Sequence, residues 1–437
     1  MSVIIVVAYV LTRTETFNEI LQRKMNYRHQ LAIVFIFGIF SIYGTLSGEK
    51  ILGVMVNFRD LGPIIAGLLG GPIIGFGAGL IGGIHRYTLG GITMLSCSLS
   101  TVIAGLVGGI VYKIKKGEFI GVTEAVILGV LMESLHMGLG LLLSRPFDLA
   151  FAAIRVAILP MIVTNAMGLG VFAFIVNNLI KERNTEAVKE LIEGELIVAR
   201  EIQMSIVPKI FPAFPDRVEF DVYGILEPAK EVGGDLYDFF LLDDDHLCFT
   251  IGDVSGKGVP ASLFMAVTKT LIKATANIAM TPAEILAKVN DNLCQDNDSG
   301  MFVTEFLGIL NISSGEVVFS NGGHNLPYII HPDGSYAALQ KTSGMALGVM
   351  EGVPYECNSI KLNLGDSLLL YTDGVTEAMN SRGELMGEKR LESVLQTLGH
   401  SSSREQTQKL LEAIKDYANG YQQSDDITIL ALKYKVG

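Results

Sequence analysis

Apolar residues crowd the first 180 positions in stretches at about 2–12, 31–47, 51–84, 92–112, 121–143 and 151–180. A helix needs roughly 20 residues to cross the hydrocarbon of a bilayer, so the pattern predicts a polytopic helical region. From Lys181 to Ser205 the spacing of Val188, Leu191, Ile192, Leu196, Ile197, Ile202 and Ile206 changes to one apolar stripe on a charged helix, ending at Pro208. After Val218 the period changes again. Leu247–Ile251, Phe306–Ile312, Glu316–Ser320 and Ser367–Tyr371 read as strands between turn residues, and Ala261–Ala276, Pro282–Asn292 and Arg404–Tyr417 as helices. Hairpin-rich strands with separate helix pairs predict an α+β domain behind the membrane helices. The expected organisation is a membrane domain at 1–180, a signalling helix at 181–208 and a soluble domain at 209–437.

Counting spans raises a parity problem. The basic loops Arg13 to Arg28 and Lys113 to Lys116 both belong on the cytoplasmic side, as does the soluble half, and six spans cannot satisfy all three. Gly70-Gly71-Pro72 interrupts the long stretch 51–84, predicting two helices of about 18 residues and seven segments in all. The N-terminus lacks the flanks of a cleaved signal peptide and is expected to be retained.

Charge separates the halves. Residues 1–180 hold 12 Lys/Arg and 8 Asp/Glu, and residues 181–437 the other 21 and 37, within a net charge of −12. An acidic soluble half without clustered Lys/Arg argues against a nucleic-acid partner. Cys97, Cys248, Cys294 and Cys357 show neither CxxC spacing nor a disulfide framework, which fits a reducing cytoplasm.

Against the apolar background, Asn57, Arg59, Asp60, His85 and Arg86 are costly to place, and intramembrane charge marks functional sites. Arg59 either pairs with Asp60 or forms, with Arg86, a grip for a small anion through paired guanidinium hydrogen bonds. Cys97 and Ser100, three apart on the next helix, would add polar contacts. Asn57-x-Arg59, the Gly67–Gly83 glycine run, His85-Arg86 and Gly90-Gly91 resemble the five-transmembrane receptor module of LytS-type sensors over about residues 20–180. The resemblance implies a small carboxylate as ligand.

In the second half, Asp253, Asp373 and Asp425-Asp426 each lie beside Gly or Ser at the edge of an apolar run. Such carboxylates suit hard divalent cations. Were Asp253 to bridge two cations about 3.5–4 Å apart, a water between them would ionise near neutral pH and attack a phosphate in line. The Val254 carbonyl adds a further oxygen, and Gly252 and Gly256 allow close approach. Gly252 to Lys257 has one residue too few between its glycines for a P-loop, and neither a phosphoacceptor helix nor an ATP-binding glycine box is present. Asp243-Asp244-Asp245 reads as a hairpin turn, and His324 as a loop-ordering residue or a proton donor.

Pro228–Asp238, Gly252–Gly258, Asn321-Gly322-Gly323-His324-Asn325, Tyr371–Glu377 and Asp425–Thr428, in that order, resemble the stage II sporulation protein E branch of the PPM metal-dependent serine/threonine phosphatases. The resemblance covers about residues 195–437 and implies a β-sandwich flanked by helices, two Mn²⁺ or Mg²⁺ ions, and a phosphoserine protein substrate of the STAS-domain type. It also implies that Asp253 bridges the metals with Val254 giving its carbonyl, that Asp373 and Asp425 complete the first site, and that Asp235 and Asp238 hold metal-bound water. Between Asp425 and Asp426, alignment with the family's Asp-Asn position favours Asp425. The combined expectation is a dimeric membrane receptor phosphatase. Its alternatives are a solute-binding or transport protein with a regulatory phosphatase appendage, and a catalytically dead scaffold.

Overall fold

In the computed structural model of the chain, which describes residues 5, 6, 8–10, 14, 17, 19, 26–51, 54–340 and 344–435, the backbone divides into two compact units between Glu190 and Leu191. That boundary falls inside the segment expected to be a connector.

The first unit is helical. Asn26 caps α1 (Tyr27–Leu46), its side chain accepting from the His29 amide at 3.0 Å. A short antiparallel hairpin follows, β1 (Glu49–Ile51) with β2 (Val54–Val56). Next come α2 (Leu61–Gly70), α3 (Pro72–Thr88), α4 (Met94–Ile114), α5 (Val122–Leu143) and α6 (Phe147–Ile206). Gly70-Gly71-Pro72 divides α2 from α3 as the sequence predicts. Gly71 takes φ +90°, which favours glycine, and Pro72 sits at the first helical position, where its missing N–H costs nothing.

The span expected over 51–70 is corrected. Its first part is hairpin and loop, and α2 has 10 residues, about 15 Å, half of a bilayer's hydrocarbon. The polar residues Asn57, Arg59 and Asp60 end the apolar run before a full span is reached. Among the described residues four helices are long and apolar enough to cross a membrane: α1, α4, α5 and α6. The segment expected at 2–12 lies largely outside the described residues.

The glycine density brings backbones together. A Cβ on Gly75 would lie 2.0 Å from the Gly105 carbonyl oxygen, and one on Gly109 2.2 Å from Pro72 Cα, so α3 and α4 meet main chain to main chain. Gly67 and Gly75, each four residues from Gly71, also touch, with a Gly75 Cβ 2.8 Å from Gly67 Cα. The two short helices thus fold back on one another as a hairpin.

The second unit is a sandwich of two antiparallel five-stranded sheets. One has the order β10-β7-β6-β5-β4, the other β3-β12-β11-β8-β9. The strands are β3 (Phe220–Glu227), β4 (Leu236–Leu241), β5 (His246–Val254), β6 (Val303–Asn311), β7 (Glu316–Gly322), β8 (Tyr328–Ile330), β9 (Tyr336–Ala338), β10 (Asn358–Lys361), β11 (Ser367–Tyr371) and β12 (Ile427–Tyr434). Helices α7 (Val259–Thr275) and α8 (Pro282–Cys294) pack on the first sheet, while α9 (Gly387–Leu395) and α10 (Ser403–Ala418) belong with the second. Alternation assigns the faces. Leu430 and Leu432 of β12 meet Phe249 and Phe239 in the core between the sheets, whereas Ile429 and Ala431 join Leu391, Leu410 and Ile414 under the outer helices. This is the α+β sandwich the sequence predicts, and Asp243–Asp245 is the turn between β4 and β5, with the Asp245 amide donating to Asp243 at 2.8 Å.

Candidate functional site

The antiparallel register brings four chain positions to one end of the sandwich. Leu236 pairs with Gly252, which sets Asp235, just before β4, beside Asp253 at the end of β5. Tyr371 pairs with Ile429, which sets Asp373, just after β11, near Asp425 and Asp426, just before β12. The sequence-predicted residues Asp235, Asp253, Asp373, Asp425 and Asp426 therefore converge from four strands.

Their partners differ. Asp426 is buried and accepts from the amides of Ala229 at 2.7 Å, Gly234 at 2.6 Å and Asp235 at 3.4 Å, so its carboxylate organises the 228–235 loop. A Cβ on Gly233 would lie 2.2 Å from an Asp426 oxygen, and one on Gly234 2.9 Å from the Val254 carbonyl oxygen, which explains the Gly-Gly pair before Asp235. Asp235 accepts from the hydroxyls of Thr372 at 2.8 Å and Thr428 at 2.6 Å. Asp425 accepts from its neighbour's amide at 2.9 Å and pairs with Lys257 Nζ at 2.8 Å. Lys257 is carried by a loop whose flanking Gly256 and Gly258 take φ +85° and +79°.

Asp238 is corrected. It is buried, forms an ion pair with Lys269 of α7 and accepts from the Phe239 amide at 2.9 Å, away from the other carboxylates. The alternation of β4 puts its odd and even side chains on opposite faces, and Asp238 lies three residues from Asp235. His324 is held by Asn321 through its own backbone and contacts the Thr304 hydroxyl at 2.9 Å through Nδ1. Burial pushes its imidazole down to about 4, so it is neutral near pH 7 and orders its loop.

Burial, then the charges of Asp373 and Asp425, push the Asp253 carboxyl up to about 7. Burial, Glu377 and Asp425 raise Asp373, and burial with Asp253 and Asp426 holds Asp235 well above the carboxylate range. The cluster is a set of like charges with hard oxygen donors only, and it fits divalent cations of the Mg²⁺ and Mn²⁺ class. The last turns of α6 reach the same loop. Gln203, buried, donates to the Gly233 carbonyl at 2.6 Å and accepts its amide at 3.1 Å. Sequence reasoning missed Gln203, Thr372 and Thr428, because only strand register and helix-to-loop packing show what a lone polar residue faces.

The membrane unit holds a second site. A cavity of about 290 Å³ is lined by Asn57, Arg86, Thr93, Ser96, Cys97 and His136 among other residues. Arg86 donates to the Gly90 carbonyl at 2.7 Å and to Thr93 Oγ1 at 3.1 Å. The expected two-arginine pocket is corrected in part. Arg59 is fully buried outside the lining, with Nε donating to Thr101 Oγ1 at 2.7 Å and lying 3.4 Å from Asp60 Oδ1. Ser100 likewise donates to Asp60, at 3.2 Å, instead of facing the cavity. Asp60 has drawn both residues to itself. Glu133 and His136 were missed, and their signal was present: two ionisable residues at i, i+3 spacing inside the otherwise apolar α5.

Residues 243–435 match the family described as Stage II sporulation protein E (SpoIIE), and residues 14–179 the family described as 5TMR of 5TMR-LYT. The chain is similar to Protein IcfG of Synechocystis sp., 31% identical over 283 residues, covering 58% of this chain and 44% of that protein. It is similar to Phosphoserine phosphatase RsbU of Bacillus subtilis, 26% identical over 257 residues, covering 59% and 75%. It is also similar to Sensor protein LytS of Bacillus subtilis, 34% identical over 198 residues, covering 41% and 33%. The chain thus spans less than half the length of IcfG and about a third of LytS. Among solved structures, the SiaA-PP2C domain of Pseudomonas aeruginosa shares the fold, with a TM-score of 0.51 at 23% identity over 57% of this chain and 99% of that domain.

Proposed function

From a chain that joins a LytS-type five-transmembrane receptor module to a SpoIIE-type PP2C phosphatase domain, we infer a membrane receptor phosphatase that hydrolyses phosphoserine or phosphothreonine on a cytoplasmic regulatory protein. The observation that carries this reading is the convergence of Asp253, Asp373 and Asp425 at one end of the sandwich. Asp253, Asp373, Asp425 and the Val254 carbonyl are the oxygen donors that would hold the metal ions. Asp426 is committed to three backbone amides, which supports Asp425 as the ligand. Asp235, fixed by Thr372 and Thr428, orients water next to the metals. Two Mn²⁺ or Mg²⁺ ions, when bound, supply the Lewis acidity that acidifies an attacking water and offsets phosphate charge. Water then replaces the serine oxygen on phosphorus, releasing phosphate and a free hydroxyl. A STAS-domain phosphoprotein is the substrate class that fits the likeness to a phosphoserine phosphatase.

The small anion, a carboxylate in this reading, occupies the cavity beside Arg86, Asn57 and Cys97, with Arg59 and Ser100 acting from behind through Asp60. The orientation follows from parity. With α2 and α3 read as a hairpin that returns to the side it starts from, four spans at α1, α4, α5 and α6 are consistent with the basic Arg13–Arg28 and Lys113–Lys116 segments and the phosphatase unit all lying on the cytoplasmic side. Val188, Leu191, Ile192, Ile197 and Ile202 stay exposed on α6, which supports pairing with a second copy. Gln203 carries the state of that helix to Gly233, next to the metal carboxylates.

The test is Mn²⁺-dependent phosphate release from a phosphoserine protein by the full-length chain and by residues 181–437, each beside its Asp253→Asn variant. Activity reduced by about 100-fold or more in the variant is expected. Equal activity in variant and parent, or no metal-dependent release from the full-length chain, would sink the reading.

A further inference from the structure

We propose that the receptor module holds a divalent transition-metal ion between Asp60, Glu133 and His136, immediately behind the ligand cavity. Glu133 and His136 lie one turn apart on the same face of α5, and Asp60 stands at the start of α2 opposite them. His136 Nδ1 is 3.0 Å from Glu133 Oε1 and 3.2 Å from Asp60 Oδ2, and one ligand atom from each residue lies within 4.8 Å of the others. All three side chains are at least nine-tenths buried, with exposures of 5%, 2% and 4%.

Burying two carboxylates in a membrane domain is costly unless their charge is balanced. Arg59 balances one, from the Oδ1 side of Asp60. The second carboxylate needs another cation on the Oδ2 side. An independent observation points to the same place. Glu133 Oε1 and His136 Nδ1, both buried, have no hydrogen bond of acceptable geometry, so a carboxylate oxygen and an imidazole nitrogen face one small volume unpartnered.

The surrounding groups are those that orient metal ligands. Ser100 donates to Asp60 Oδ2 at 3.2 Å and Thr101 to Oδ1 at 2.7 Å, which fixes the carboxylate with the second lone pair of Oδ2 open toward the histidine. His136 Nε2 lies 3.3 Å from Cys97 Sγ, so the tautomer that frees Nδ1 for an ion donates its Nε2–H to the sulfur. Fixing the far nitrogen of a ligating histidine in this way is the usual role of the outer shell. One imidazole with two carboxylates selects Mn²⁺, Fe²⁺ or Zn²⁺ over Ca²⁺ or Mg²⁺. With the ion bound, the group of Arg59, Asp60, Glu133 and metal carries one net positive charge behind His136 and Cys97, which line the cavity. An anion entering beside Arg86 meets that charge, so ion and ligand favour one another.

The test uses untagged full-length protein in nanodiscs, carrying Asp253→Asn to weaken the carboxylate cluster of the phosphatase unit. After chelation and dialysis against Zn²⁺, bound metal is counted by mass spectrometry and its ligands read by zinc K-edge absorption. The expected result is about one retained equivalent with imidazole scattering. Glu133→Gln and His136→Gln should weaken retention by more than about 100-fold, and Ser100→Ala by about 10-fold. Less than about a tenth of an equivalent in the Asp253→Asn protein, or retention unchanged by His136→Gln, overturns the proposal and leaves a shared proton as the balancing charge. If the α5 variants aggregate, Ser100→Ala, read at unaltered elution volume, decides between the same two results. Because the readout is bound metal rather than phosphate release, the phosphatase reading stands or falls separately.

Discussion

Asp425 and Asp426 are neighbours in sequence with opposite tasks. Asp426 is a structural carboxylate whose acceptors are filled by the 228–235 loop, while Asp425 turns outward to Lys257. Each hydrogen bond to a buried charge is worth about 1.5–3 kcal/mol. Asp426→Ala is therefore expected to lower the stability of the phosphatase unit by about 3 kcal/mol or more in urea unfolding. Asp425→Ala should leave the unfolding midpoint nearly unchanged and raise the Mn²⁺ concentration needed for half activity at least about 10-fold. The reverse pattern would exchange their roles. Residue types and order made the cluster legible, since carboxylates beside glycines at strand ends form one chemical set. Which carboxylate faces a backbone amide and which faces solvent depends on atoms brought from 190 or more residues away, as with Asp426 and Gly234. Asp238 was misassigned for the same reason, because Lys269 on another element took the side chain, and of the two readings of Arg59 the structure has the pairing with Asp60.

At the scale of elements, periodicity located what it is suited to locate. The predicted strand Ser367–Tyr371 is β11, and the predicted helices at 261–276, 282–292 and 404–417 coincide with α7, α8 and α10 within a few residues. Two capping boxes, Thr281 with Glu284 and Ser402 with Glu405, make those helix starts readable from sequence. Short elements left no such trace, since three residues of β8 or β9 cannot establish a period. The α2–α3 hairpin was half legible. Gly71 and Pro72 announced the break, but the length of α2 was set by the polar residues that precede it. Its packing predicts a sharp intolerance. A Cβ on Gly105 would lie 1.9 Å from the Gly75 carbonyl oxygen, so α3 and α4 would have to separate. Gly105→Val is expected to cost several kcal/mol, on the order of the 1–3 kcal/mol typical of overpacking or more, seen as a lower melting temperature in detergent. Gly138→Val, where nothing lies within 4 Å of the Cβ position, should melt as the parent does.

The whole molecule is divided by the kind of surface each part presents. Residues 1–180 carry few charges and expose many large apolar side chains, whereas residues 181–437 hold 37 of the 45 acidic residues. That contrast was fully legible in composition, because burial in lipid and exposure to water demand different residues. An acidic surface of this size concentrates divalent cations around itself at low ionic strength. One cation is already built into the chain. The Lys257 ammonium, on a glycine-flanked tether, rests on Asp425 and the Ser424 carbonyl. If Asp425 binds metal as proposed, an ion there has to displace this ammonium, which raises the metal concentration needed for half occupancy. Lys257→Met should shift the Mn²⁺ titration of phosphatase activity to lower concentration, and an unshifted midpoint would show that the lysine does not compete. On that reading the tethered charge would make the phosphatase a gauge of the divalent-ion supply, its output falling as the metal runs short even with receptor and substrate both in place.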